Sequence, residues 1–184
     1  MPEIDIEEAR TLLWFLDRQR ATFAWKTGGL DAAGLRATHS PSSMTLGGML
    51  KHLARFEDDM STEWLQGQEQ IPPWNAVDWD ADHAWDWRTA AEETPETLYT
   101  RWNEAVTRSR ALFDAAISGD LGRSSMGHDG TPEGLPSLRE ILINMIEEYA
   151  RHNGHADLIR ESIDGLAGHD PPAAVKGELG SDAS

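Results

Sequence analysis

The chain has 184 residues, enough for one domain with a sizeable core. Its 39% apolar and 26% charged residues describe a globular chain, and no apolar run approaches the ~20 residues of a membrane span. A formal charge of −16 without any Lys/Arg run excludes electrostatic attraction to nucleic acid, and the lack of cysteine excludes disulfides, thiolate metal ligands and a cysteine nucleophile.

The acidic start, MPEIDIEEAR, has no basic stretch followed by an apolar one. No signal peptide is expected there, and a cytoplasmic location is. The first predicted helix runs from about Ile6 to Trp25, with Asp5 and Glu8 spaced as a capping box. Leu12, Leu16, Gln19 and Phe23 share one face, Leu13 lies beside them, and Thr27-Gly28-Gly29 breaks the pattern. The second helix is expected from Thr45 to Gln66, with an apolar stripe of Leu46, Met49, Leu53, Phe56, Met60 and Trp64. Residues 67–93 form a long connection rich in Trp, Asp and Pro. A structureless loop of that length is unusual, so Trp74, Trp79, Trp85 and Trp87 are expected either to anchor it or to wall a pocket.

Thr94 as N-cap and Pro95 at the first helical position open the third helix, which reaches Ser118. Leu98, Trp102, Ala105, Ser109, Leu112, Phe113 and Ala116 share its inner face, and the small Ala105 and Ser109 leave room midway. His128-Asp129-Gly130 reads as a turn. Ser137 and Glu140 make a second capping box after Pro136, and the fourth helix ends at Asp164-Gly165. No segment reads as a strand. Four long amphipathic helices predict an all-α four-helix bundle over 1–167, and the long connection permits a crossover; 168–184 reads as a flexible tail.

The fourth helix carries Glu148, His152 and His155. With Glu148 at zero and ~100° per residue, Ile141 and Ile159 fall near 20°, Met145 and Ile163 near 60°, Ala156 near 80° and Tyr149 near 100°. His152 falls near 40°, inside this apolar arc; Glu148 lies at its edge and His155 just outside. A buried carboxylate needs an arginine, a hydrogen-bond network or a metal ion. On the second helix His52 also borders the apolar stripe. Two imidazoles and a carboxylate with open positions form a common set for a catalytic divalent metal. A hydrogen-bonded core histidine and a solvated boundary glutamate are the plainer alternatives. No HExxH, no paired Glu-x-x-His, no G-x-S-x-G and no phosphate-binding GxxxxGK occurs.

Three stretches carry a family resemblance: MTLGGMLKHLARFE at 44–57, DWRTAAEETPETLYTRWNEAVTRSRALF at 86–113 and INMIEEYARHNGHADLIRESIDG at 143–165. They resemble the DinB-like superfamily, in particular its actinobacterial mini-circle-type branch, which is related to mycothiol-dependent maleylpyruvate isomerase. The resemblance implies a crossover four-helix bundle with His52, Glu148 and His152 as metal ligands. Many members have His at the position of Glu148; the His/Glu/His set is similar to that of the isomerase. His155 stands where many relatives have Gln, and is expected as a catalytic acid/base or an outer partner of the ligands. The resemblance also implies a divalent metal, zinc first and Ni, Fe or Mn next, and a low-molecular-weight thiol of the mycothiol type. The expected activity is thiol S-transfer or isomerisation of a small-molecule substrate, by a monomer or homodimer with no nucleic-acid or membrane partner. The alternative is a non-enzymatic metal- or ligand-binding protein of the stress response.

Overall fold

The computed structural model describes residues 6–118 and 136–171. Asp5 of the first proposed capping box, the His128-Asp129-Gly130 turn and residues 172–184 of the expected tail lie outside them. Four long helices dominate: α1 (Ile6–Thr27), α3 (Leu46–Asp58), α5 (Pro95–Ser118) and α6 (Leu138–Asp164). Short helices α2 (Ala32–Arg36) and α4 (Trp85–Thr89) sit in the connections, with 3-10 turns at Trp74–Ala76 and Ala90–Glu92. Among the described residues there is no strand, only one isolated bridge between Thr38 and Thr45.

Helix boundaries follow local chemistry. Thr45 Oγ1 accepts the Gly48 N–H at 3.0 Å and starts α3. Thr94 Oγ1 accepts the Thr97 N–H at 3.2 Å ahead of Pro95. Ser137 Oγ accepts the Glu140 N–H, while Glu140 Oε2 accepts the Ser137 N–H at 2.7 Å, so the expected capping box of α6 is formed. Gly165 ends α6 in the left-handed region, at φ 77°.

Cross-helix pairs fix the topology. Arg139 meets Glu8, Asn153 meets Gln19, and Arg160 reaches the Lys26 carbonyl, so α1 and α6 run parallel. Gly47 lies beside Leu98 and Asp58 meets Arg108, so α3 and α5 also run parallel. Asn144 lies beside Met60, Tyr149 beside Glu57 and His152 near His52, which makes α3 and α6 antiparallel. This is the crossover bundle. The chain leaving α3 must travel back roughly 20 Å, the helix's own length, before α5 can start.

The connection after α3 accomplishes that return with its tryptophans. Trp74 is buried and donates from Nε1 to Asp58 Oδ2 at 2.9 Å. Trp74 and Trp79 both meet Trp85 edge-on, at 6.2 and 6.1 Å. Lys51 Nζ lies 3.9 Å above the Trp85 ring, and the Arg55 guanidinium lies 3.5 Å above Trp79. These three indoles therefore anchor the connection.

Two sequence expectations change. The second predicted helix reaches beyond Asp58 only as a π-helical segment, Asp59–Trp64. Its wider i→i+5 turns slip the apolar register, so Trp64 is exposed rather than in the core. The space beside Ala105 and Ser109 is taken up by Arg20, whose Nη2 donates to Ser109 Oγ at 3.0 Å. Arg20 also pairs with Glu57 through Nε (2.7 Å) and Nη2 (2.6 Å). Tyr149 donates to the same carboxylate at 2.6 Å, and Trp102 Nε1 donates to the Tyr149 hydroxyl at 2.9 Å. One polar network thus ties all four long helices together in the core. Glu57 outweighs burial and raises the Arg20 pKa; burial, reinforced by the Glu57 charge, raises that of Tyr149.

The π segment holds a strained charge. Burial pushes the Asp59 carboxyl up to about 6, with Glu63 adding to the effect and Arg55 opposing it. A raised carboxyl pKa favours the protonated folded form, so its contribution is complete below the unfolded value of ~4 and is lost as pH rises through 6. Asp59→Asn is accordingly expected to gain stability over the parent chain between pH 4 and 7, by on the order of 1–3 kcal/mol. Urea melts of both proteins at pH 4, 5.5 and 7 measure the difference; a difference that stays flat with pH contradicts the assignment.

Candidate metal centre

His52 projects from the middle of α3; Glu148 and His152 lie one turn apart on α6. Because α3 and α6 are antiparallel neighbours, the three side chains converge. Glu148 Oε1 sits 3.2 Å from His52 Nε2 and 3.1 Å from His152 Nε2. One donor atom from each residue lies within 4.8 Å of the others. This is the one His/Asp/Glu group of three among the described residues with such a geometry. His152 is buried, while His52 and Glu148 are half-buried, so the group is open on one side.

The electrostatics are those of a shared carboxylate. Hydrogen bonds from His152 and His52 hold the Glu148 carboxyl far below the usual range, against the opposing effect of burial. Burial disfavours a charge on His52, but hydrogen bonds to Asp86 and Glu148 outweigh it and raise its pKa.

The donor set fits a divalent ion. Both ring nitrogens of His52 face carboxylates, Nδ1 at Asp86 Oδ2 (3.0 Å) and Nε2 at Glu148 Oε1. A neutral imidazole has one proton and cannot donate to both. An imidazolium can donate to both; with a neutral His52, a cation among the two Nε2 atoms and Oε1 serves the same geometry, because Nε2 then supplies a lone pair. Three protein ligands of N, N, O type leave further coordination positions free.

Sequence reasoning selected all three triad residues. It did not select Asp86 of α4, and it offered Trp87 of the same helix only as one of four tryptophans that could anchor the connection or wall a pocket. Asp86 is buried against His52, and the Trp87 indole stacks on the His52 ring (4.9 Å, 29°) and lies 5.6 Å from that of His152. Trp87, unlike the other three tryptophans of the connection, therefore walls the triad. Gly48 makes this possible: a Cβ there would stand 2.6 Å from Trp87 Cε3. Gly48→Ala is expected to tilt the indole away from His52 and to cost about 1–3 kcal/mol. A thermal melt checks it; an unchanged Tm would show that the indole yields freely. His155 lies beside the triad rather than in it, with its ring 5.4 Å from that of His152. Its Nδ1 is buried without a hydrogen-bond partner, and burial, then His152, lower its pKa.

A crossover four-helix bundle with a His/Glu/His group between α3 and α6 defines a protein of the DinB-like class. The family model for mycothiol-S-transferase matches residues 11–165, and the chain belongs to that family. No curated protein and no solved structure matches the chain significantly. Among the described residues, no helix is long and apolar enough to cross a membrane.

Proposed function

We propose that this protein is a divalent-metal-dependent enzyme that joins mycothiol, through its sulfur, to an electrophilic small molecule. The observation that carries the reading is the convergence of His52 Nε2, Glu148 Oε1 and His152 Nε2 within 4.8 Å. Family membership supplies the thiol. A bound divalent ion, zinc first among the candidates and Ni, Fe or Mn next, lowers the pKa of a coordinated thiol so that thiolate is available at neutral pH.

In this reading His52, Glu148 and His152 would hold the ion. Glu148 contributes one negative charge, leaving the centre electropositive toward an incoming thiolate. Trp87 covers the His52 face and keeps water from it. His155 positions the substrate or moves a proton beside the centre, a role its unpartnered Nδ1 supports. The chain has no cysteine, so the nucleophile comes from the soluble thiol. We assign the protein to the cytoplasm, with no nucleic-acid partner at a formal charge of −16 and as a monomer or homodimer.

The test is consumption of mycothiol by the zinc-loaded full chain against a panel of epoxides, alkyl halides and activated alkenes, with conjugates read by mass spectrometry. Conjugation above the uncatalysed rate with at least one electrophile is expected. Background rates across the whole panel would contradict the reading. His155→Gln is expected to lower kcat by roughly 10²-fold or more while leaving the metal content unchanged. Parallel assay and elemental analysis of the variant check both; lost metal would make His155 a ligand instead.

A further inference from the structure

His52 is held by a carboxylate from outside its own helix. Asp86, in α4, is 1% exposed. Its Oδ1 accepts the backbone N–H of Trp87 at 2.9 Å, and its Oδ2 faces His52 Nδ1 at 3.0 Å. Arg55 Nη1 lies 3.8 Å from Oδ2 and keeps that oxygen in an electropositive setting. Both oxygens are therefore engaged, and the one at the ring can only accept. The proton of a neutral His52 belongs on Nδ1, and the lone pair then points from Nε2 toward Glu148 and His152. A ring flip would put Cδ2 and Cε1 where the two nitrogens stand, but Trp87 stacked on one face of His52 and His152 at 5.0 Å restrict it.

We propose that Asp86 is a positioning residue that sets the tautomer of His52 and so makes Nε2 the metal-binding atom. The inference rests on the metal-centre reading above. It gives the crossover connection a function beyond return of the chain: α4 delivers the outer half of the centre.

The proposal makes an unusual ordering of variants. In Asp86→Asn, Oδ1 keeps the Trp87 N–H, and the amide Nδ2 then faces His52 Nδ1 as a donor. That places the imidazole proton on Nε2, the wrong nitrogen for ligation. Asp86→Ala merely removes the acceptor and leaves both tautomers available. A purely structural residue would tolerate the isosteric Asn better than Ala; a tautomer-setting residue does the reverse.

Zn(II) affinity of the full-length parent, Asp86→Asn and Asp86→Ala is to be measured by competition with a chromogenic chelator, which needs no activity. Asp86→Asn is expected to bind roughly 10–100-fold more weakly than the parent, and Asp86→Ala to lose less than that. Affinity of Asp86→Asn within twofold of the parent, or a loss in Asp86→Ala as large as in Asp86→Asn, overturns the proposal. If the parent chain binds no Zn(II), Ni(II), Fe(II) or Mn(II), the metal-centre reading falls and this inference falls with it. If the parent binds but the ordering fails, only the role of Asp86 is lost. Should either variant lack the helical circular dichroism of the parent, nitrogen-15 shifts of His52 in the zinc-loaded parent decide instead. A proton on Nδ1 with Nε2 ligated is expected; ligation through Nδ1 overturns the proposal.

Discussion

His152→Ala is expected to leave the protein without bound metal and without thiol transfer. The loss of affinity should exceed the roughly 10–100-fold that removal of an outer hydrogen-bond partner costs, because a donor atom is lost outright. His152 is buried at the side of α6 that faces α3, so no exposed side chain can swing into its place. Glu148→Gln is expected to fail similarly, since the amide is a weak ligand and its NH2 competes with the cation for the imidazole lone pairs. Glu148→His, which restores a strong donor, is expected to retain metal. Elemental analysis and mycothiol conjugation on the same preparations give both readouts. Full metal content and rate in His152→Ala would remove it from the centre.

Glu57→Ala is the substitution expected to damage the fold most. Glu57 is fully buried and accepts from Arg20 through both oxygens and from Tyr149. Removing it leaves the Arg20 guanidinium inside the bundle with Ser109 and the half-exposed Asp17 as its remaining partners. Breaking a buried pair in this way costs about 3–5 kcal/mol, a fall in Tm on the order of 10 °C for a chain of this size. The paired replacement Arg20→Met with Glu57→Leu is expected to recover most of that loss, because no uncompensated charge remains. Thermal melts of the single and double variants measure both, and a single-variant loss below about 1 kcal/mol would contradict the account.

The sequence made the four long helices legible because their ends are local events. Ser137 with Glu140, Thr94 with Pro95, and Gly165 are read within three or four residues of chain. The triad was legible for a related reason: the 3.6-residue period places His152 among Ile141, Met145 and Ile159, and no partner need be known to see it. The charged interior was not legible. Arg20, Lys26 and Lys51 are each about 1% exposed, yet each is buried only because another helix or the connection supplies its partner: Glu57, Asp157, or Thr89 with Glu93. Asp86 escaped for the same reason, and Trp87 was singled out only as one of four candidate walls. They lie in an aperiodic segment rich in Trp and Asp, where nothing in the spacing marks which carboxylate turns toward His52. Trp64 was misplaced because a helical period was carried through residues that wind as a π-helix.

The central claim is that His52, Glu148 and His152 bind one divalent ion. Crystals of the zinc-loaded protein, with diffraction recorded on both sides of the zinc absorption edge, test it most directly. One anomalous peak is predicted between α3 and α6, about 2.0–2.2 Å from His52 Nε2, His152 Nε2 and a Glu148 oxygen, with at least one position open to solvent. No peak at the triad, or zinc bound only elsewhere on the chain, would contradict the claim.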